Sequence, residues 1–228
     1  MTVTLDFETD TAGRRSIAID NLVVAGWTAR DRAAVDHHIE ELAALGVPAP
    51  SRVPLFYRVS ATLLTQRDRV EVLGEETSGE VEPVLLDDGE TLWLGLGSDH
   101  TDRRLERVSV AASKQVCPKV VAPRLWRLDA VSDRVDSLEL SSWVDEGQGP
   151  VLYQQGRLAA IRPLAELVEA SPLGREGRLA PGTLMMCGTL GAKGGVRPAR
   201  HFRMELRDPA TGRCITHGYE TVPLPVIA

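Results

Sequence analysis

From residue 52 to residue 207 the apolar side chains of this chain come in short runs rich in β-branched residues, divided by Gly, Pro and Asp. That texture leaves room for little other than a β-rich fold with many non-local pairings. The runs fall at 52–59, 69–73, 80–86, 91–96, 109–112, 137–143, 185–188 and 201–207. Two more strands are expected at 2–8 and 16–25, joined by a polar turn around Ala12-Gly13. Only one stretch has strong helical spacing. Over 29–45, Val35, Ile39, Leu42 and Leu45 recur with helical period; Thr28, with Asp31 three positions on, reads as the cap, Gly46 as the stop, and Pro48 forbids continuation. A second, shorter helix is expected at 163–170, with the preceding 153–157 turning. There is no internal repeat and no low-complexity linker. The expected organisation is therefore mainly β, of the α+β class. Residues 1–50 (strands and helix) are expected to belong to the same domain as a β body over 51–228.

Composition removes several function classes. With 43% apolar and 25% charged residues, the 228-residue chain is long enough and apolar enough to bury a core. A net charge of −6 without a basic tract argues against nucleic acid as a partner. No apolar run approaches the ~20 residues needed to span a bilayer, and the N-terminus lacks a basic-then-apolar secretory pattern, so a cytoplasmic location and no membrane partner are expected. Cys117, Cys187 and Cys214 are too widely spaced for a disulfide framework or a zinc ligand set. Of 26 basic residues only Lys114, Lys119 and Lys193 are lysines, so any chemistry needing a compact, deprotonatable cation falls to these three.

If 80–86 is a strand, Glu80 and Glu82 leave the same face side by side, and Asp99 returns on the next apolar segment after a turn at 87–90. Close carboxylates repel unless a cation or water separates them. Three acidic oxygen ligands with no nearby Cys suit a hard divalent ion, Mg²⁺ or Mn²⁺, with Ca²⁺ as a further option. By spacing alone, the wet face of a half-buried strand is the commoner origin of such a pair.

Other residues gain meaning beside that cluster. On the first helix His38 and Glu41 share a face, an arrangement that raises imidazole basicity and suits a base activating water. His37 with Glu40 or Glu41 meets the same spacing, and a solvated surface pair meets it too. Arg103 follows Asp99 closely, and Lys114 follows an apolar, strand-like segment. A lysine near a divalent cation holds negative charge that develops on an enolate oxygen. The run Pro181 to Gly195 passes from a buried strand into a glycine-rich turn that brings backbone N–H groups and the Thr189 hydroxyl near an anion. It lacks the P-loop order, which argues against a nucleotide.

Taken in this order, the pieces resemble the fumarylacetoacetate hydrolase family, over roughly residues 20 to 222. Glu80-Val81-Glu82 matches its metal pair. Asp99-His100-Thr101-Asp102-Arg103-Arg104 matches its second element at the ligand Asp, the Thr and the Arg. Lys114-Gln115-Val116-Cys117-Pro118 keeps its lysine and Cys-Pro but not Ser-Phe. Pro181-Gly182-Thr183 through Cys187-Gly188-Thr189-Leu190-Gly191 follows its C-terminal signature, with Leu190 in place of proline. His38-Ile39-Glu40-Glu41-Leu42 matches the His-x-x-Glu of its lid helix, which selects His38 over His37. Tyr153-Gln154-Gln155-Gly156 looks like its Arg-Gln-x-Gly segment, and Arg58 stands where the family often has lysine. The intervals Glu82–Asp99 and Arg103–Lys114 are shorter than usual.

The resemblance implies a mixed β-sandwich or roll with a lid helix near its N-terminus, usually built as a homodimer. It implies a metal held by Glu80, Glu82 and Asp99, with Lys114 stabilising an enolate and His38, oriented by Glu41, activating water. Thr189 and the N–H groups around Gly188–Gly191 would bind a substrate carboxylate, with Arg103 supporting Asp99 or contacting that carboxylate and Arg58 as a further substrate-binding candidate. The implied activity is metal-dependent hydrolysis of a C–C bond in a 1,3-dicarbonyl or 2-oxo acid. Decarboxylation or keto–enol isomerisation at the same site, or metabolite binding without catalysis, are the alternatives.

Overall fold

The computed structural model describes residues 1–10, 13–44, 46 and 49–227; within the first helix the side chains of Ala34, His38, Glu41, Leu42 and Ala44 lie outside the description. Strands β1 (Val3–Thr9) and β2 (Gly13–Ile19) form an antiparallel pair, and β3 (Asn21–Gly26) follows at once. The single strand expected at 16–25 is therefore two. At Asp20 the chain changes partner: Asp20 N and Asn21 N both donate to Gly182 O, and β3 leaves β1 to run parallel to a late strand.

Helix α1 (Arg32–Ala44) starts three residues later than expected. Asp31, not Thr28, accepts the first helical bond from Val35 N, and its side chain takes Ala33 N at 2.9 Å. Residues 28–30 are held extended instead, because Ala29 bridges Ile161, Arg162 N donates to Thr28 O and Arg30 N donates to Ala160 O. Arg30 also donates from Nε to Ile161 O at 2.9 Å and forms a bidentate pair with Asp136 at 2.7 Å, so the base of α1 is stapled to the 158–162 segment and to the 132–137 turn.

Next come β4 (Leu55–Val59), the two-residue β5 (Leu64–Thr65), β6 (Arg69–Leu73) and β7 (Thr77–Ser78). The hairpin β8 (Val81–Asp87) and β9 (Leu92–Asp99) leads to β10 (Thr101–Asp102), then to helices α2 (Arg103–Glu106) and α3 (Val110–Gln115). The strand-like reading of 109–112 gives way because Ser109 caps a helix there, accepting from Ala112 N at 3.2 Å. Strands β11 (Lys119–Val121), β12 (Arg124–Arg127), β13 (Glu139–Asp145) and β14 (Pro150–Arg157) precede α4 (Leu164–Ala170). Residues 153–157, expected to turn, extend instead as part of β14, held along their length by β13. The chain ends with β15 (Gly174–Arg175), β16 (Arg178–Leu179), β17 (Thr183–Met186), β18 (His201–Arg207) and the 11-residue β19 (Cys214–Leu224).

Two sheets carry the fold. A curled sheet runs β2-β1-β12-β9-β8-β17-β3-β4, with β11 joining β9 and β5 joining β11; a second runs β14-β13-β18-β19-β6. Alternation along the β8–β9 hairpin divides the core between its two faces. Val81, Leu85, Leu94 and Leu96 pack toward Val144, Phe202, Met204 and Ile215 of the second sheet. Val84, Leu86 and Trp93 turn the other way, onto Phe7, Ile17, Ile19 and Leu64, where the first sheet curls over itself. Glu82 continues the Leu86–Val84 row toward the strand's start, so an apolar row ends in a carboxylate. Among the described residues no helix is long and apolar enough to cross a membrane.

Candidate metal centre and its cavity

The β8–β9 register brings the acidic cluster together. Val81 pairs with Ser98 and Glu82 with Gly97, while Asp99 N donates to Glu80 O, so Glu80 stands opposite Asp99 at the hairpin's open end. One carboxylate oxygen from each of Glu80, Glu82 and Asp99 lies within 4.8 Å of the others. Glu82 and Asp99 are buried and Glu80 is partly so.

The three carboxylates have different neighbours. Glu82 accepts one backbone bond, from Gly188 N at 2.7 Å. Burial, reinforced by the charge of Asp99, pushes its pKa well above the ordinary carboxylate value. Glu80 is held by Arg103 at 2.9 Å; Arg103 also pairs with Glu106 at 2.9 Å and donates to Ser78 Oγ at 2.7 Å. Asp99 is flanked by two ammoniums. Lys114 donates to Oδ2, and Lys119, opposite Asp99 in the β11–β9 register, sits 3.0 Å from Oδ1 as an ion pair without an aligned hydrogen bond. Burial alone would raise the Asp99 carboxyl, but the two lysines outweigh it and bring the pKa to about 2. The same carboxylates outweigh burial at Lys114 and push its pKa up. At Lys119 burial wins, assisted by the charge of Lys114, and the pKa is lowered. Behind them His100 is pushed down to about 3 by burial and by Lys119 and Arg103, so it stays neutral between Tyr219 OH and Thr77 Oγ1.

The residues present fit a hard divalent cation. The donors are carboxylate oxygens, two of them buried; like charge and burial disfavour an ionised Glu82, and Asp99 Oδ1 has no aligned donor.

Glu80, Glu82 and Lys114 line a cavity of about 350 Å³, together with residues of the 25–29 segment, α1, β4, β14 and the turn after β17. Helix α1 contributes Val35 and His37 to the lining. The side chains of His38 and Glu41 lie outside the described residues. Thr189 reaches the cavity with its hydroxyl already engaged: it donates to Val81 O at 2.7 Å and accepts from Gln154 Nε2 at 2.8 Å.

Three expected roles change. Gly188 N–H, expected to face a substrate anion, is taken by Glu82. Arg103 braces Glu80 and Glu106 rather than Asp99 or a substrate, and it is not part of the lining. Arg58 is exposed and donates to Asn21 Oδ1 at 2.7 Å, while its neighbour Tyr57 takes the cavity face of β4; alternation puts Arg58 on the opposite side.

Sequence reasoning passed over Lys119, Tyr57, Trp27 and Glu106. Lys119 had one signal, its place among three lysines, but its meaning depends on a β11 pairing that no local pattern announces. Tyr57 and Trp27 touch each other, Trp27 Nε1 donating to Tyr57 OH at 3.3 Å, and Lys114 lies 5.9 Å over the Tyr57 ring.

Residues 25–219 match the model of a family described as protein of unknown function DUF2848. A search of curated protein sequences finds no match. Among solved structures the chain is similar to the hexagonal crystal form of 2-keto-3-deoxyarabinonate dehydratase, with TM-score 0.63 and 15% identity over 94% of this chain and 79% of that one. It is similar also to Cg1458 in its crystal structure with an inhibitor, with TM-score 0.62 and 16% identity over 93% and 81%. A third is 2-keto-3-deoxy-D-arabinonate dehydratase complexed with magnesium and 2,5-dioxopentanoate, with TM-score 0.59 and 15% identity over 95% and 79%. At such identities the likeness is one of fold.

Proposed function

The chain belongs to the DUF2848 family, and from that premise we propose that it is a divalent-metal-dependent enzyme of small 2-oxo acids on a fumarylacetoacetate hydrolase-like fold. The observation that carries this reading is one cavity lined by Glu80 and Glu82 of the carboxylate cluster and by a buried lysine that stays protonated. Magnesium in a structure of similar fold supports the choice of cation. Glu80, Glu82 and Asp99 would hold it, and once bound it supplies positive charge that polarises the substrate's oxygens.

The reaction we favour is hydrolysis of the C3–C4 bond of a 2,4-dioxo acid. An imidazole on α1 takes a proton from water, which adds to the C4 ketone. The C3–C4 bond then breaks, its electron pair remains on the C3 fragment as an enolate, and C4 leaves as a carboxylic acid. The Lys114 ammonium holds the charge growing on the C2 oxygen, and a proton returns to C3. His38 oriented by Glu41 is the base the family resemblance favours, and α1 would serve as the lid, excluding bulk water. His37 on the same helix supports a base at this wall. We further read the chain as a homodimer, on the resemblance alone, and as cytoplasmic, on its composition.

A second reading, lyase chemistry at the same site, is favoured by the likeness to dehydratases. A dehydration still has to take a proton from C3 and protonate the departing C4 hydroxyl. Decarboxylation of a β-oxo acid or keto–enol isomerisation needs no nucleophilic water, so His38→Ala should spare these last two more than it spares hydrolysis.

The first test is a thermal melt of chelated protein before and after Mg²⁺. At a hundred times Kd the ion should stabilise by about 2.7 kcal/mol, and Glu80→Ala should abolish the rise. A flat response in the wild type would sink the metalloenzyme reading.

A further inference from the structure

Resting on the 2-oxo acid reading above, we propose that the substrate is a monocarboxylate whose chain beyond the reacting carbons is apolar, carrying neither a second carboxylate nor a row of hydroxyls.

Most of the polar lining of the cavity comes from Glu80, β8, α2, α3, β14 and the start of the turn after β17, with Thr28, His37 and Tyr57 adding one polar group each from the 25–29 segment, α1 and β4. Around Thr28 and His37, the 25–29 segment, α1 and residues 190–196 supply a mainly apolar wall: Ala25, Ala29, Val35, Leu190, Ala192 and Val196. The main chain of this wall is largely engaged. Ala29 bridges Ile161, Ala192 bridges Gln154, Leu190 O accepts from Gln154 Nε2 at 2.6 Å, and Thr28 O accepts from Arg162 N at 2.8 Å. The Trp27 indole N–H is turned to Tyr57 OH. A hydroxylated tail laid here would give up water for few partners, and each unpartnered hydroxyl weakens binding on the order of tenfold.

A second carboxylate fares no better. Among the described lining residues Lys114 is the only Lys or Arg, and it already faces Asp99 and Glu80. The nearby arginines are committed elsewhere. Arg103 is held among Ser78, Glu80 and Glu106, Arg58 donates to Asn21, and Arg197 stacks 5.0 Å over Tyr153 while pairing with Glu146. The other ionisable lining groups are His37, Tyr57 and Glu106, and the Glu106 carboxylate adds negative charge. An apolar tail instead exchanges water for methyl and methylene contacts, strengthening binding about fourfold per methylene.

Isothermal titration of the Mg²⁺-loaded protein tests this with ligands that share a head and differ in tail. Oxalate probes the head alone; pyruvate, 2-oxohexanoate, 2-oxoglutarate and 2-oxogluconate add the tails. The expected result is oxalate binding that needs Mg²⁺, 2-oxohexanoate tighter than pyruvate by tens of fold on the same fourfold increment, and the dicarboxylate and polyol at least tenfold weaker than 2-oxohexanoate. If oxalate fails to bind, the 2-oxo acid reading falls and this proposal with it. If oxalate binds but 2-oxoglutarate or 2-oxogluconate matches 2-oxohexanoate, the proposal alone is overturned. Val196 is 47% exposed, so Val196→Lys should fold, and it should bring 2-oxoglutarate up to 2-oxohexanoate. An unchanged order in that variant would overturn the placing of the tail against this wall.

Discussion

The β9 side and the β8 side of the carboxylate cluster solve one electrostatic problem in opposite ways. At the end of β9, Asp99 is compensated by two ammoniums and is ionised under all ordinary conditions. On β8, Glu82 has one backbone N–H and, among the described residues, no cation in hydrogen-bond contact, and burial favours its neutral form. One side is a finished ion cluster, and the other is a buried carboxylate whose charge burial and Asp99 disfavour. Carboxylates that look alike in sequence thus have different surroundings: Asp99 is tied into the fold by two lysines, whereas Glu82 is buried against one backbone N–H.

Removing the charge of Asp99 is the severest way to break this contrast. Asp99→Asn leaves two buried ammoniums facing an amide and should cost about 3–5 kcal/mol, read as a fall of about 10 °C in Tm even in chelator. A variant that melts like wild type would refute the finished-cluster account. Lys119→Met should have a smaller effect, about 2 kcal/mol, since Asp99 keeps Lys114. With less positive charge beside the cluster, the Mg²⁺-induced rise in Tm should exceed that of wild type; an equal rise would show that Lys119 has no influence on the cation. The mildest change sharpens the other side. In chelator, Glu82→Gln should raise Tm at pH 8 by about 2–4 °C, roughly 1 kcal/mol for a chain of this length.

The sign follows from proton uptake. The native state holds the Glu82 proton more tightly than the unfolded chain, whose ordinary value is 4.5, so the strain of an ionised Glu82 grows as pH rises above that value and fades as it falls back. Asp99 runs the other way: its contribution is complete above the ordinary 3.8 and is lost as pH falls through about 2. Wild type should lose stability relative to Glu82→Gln as pH rises above 4.5, and parallel melting curves would remove Glu82 as the source.

The acidic cluster was legible because its geometry is local. Period-two alternation sets Glu80 beside Glu82, and the 87–90 turn, where Asp88 accepts from Glu90 N and Thr91 N, returns the chain to Asp99. Helix α1 was legible from the spacing of Val35, Ile39 and Leu42, though its start was not, because pairing with residues 160–162 keeps 28–30 extended. What escaped depends on distant partners. Lys119 matters only through the β11–β9 register, β14 is a strand because β13 lies beside it, and β19 joins β18 to β6. The helix at 110–115 hid behind Val and Ala that read equally well as strand until the Ser109 cap decides.

Gly188 connects two parts that otherwise look independent. Its N–H grips the Glu82 carboxylate, its φ is +97°, and a methyl group on its Cα would fall 1.6 Å from Thr28 Oγ1. Thr28 in turn sits at the stapled base of α1. A side chain at position 188 would therefore disturb the Glu82 carboxylate and the foot of the helix in one stroke. In a library of point variants this glycine should score among the least replaceable positions of the chain, and its variants should group with lost ligands rather than with damaged cores.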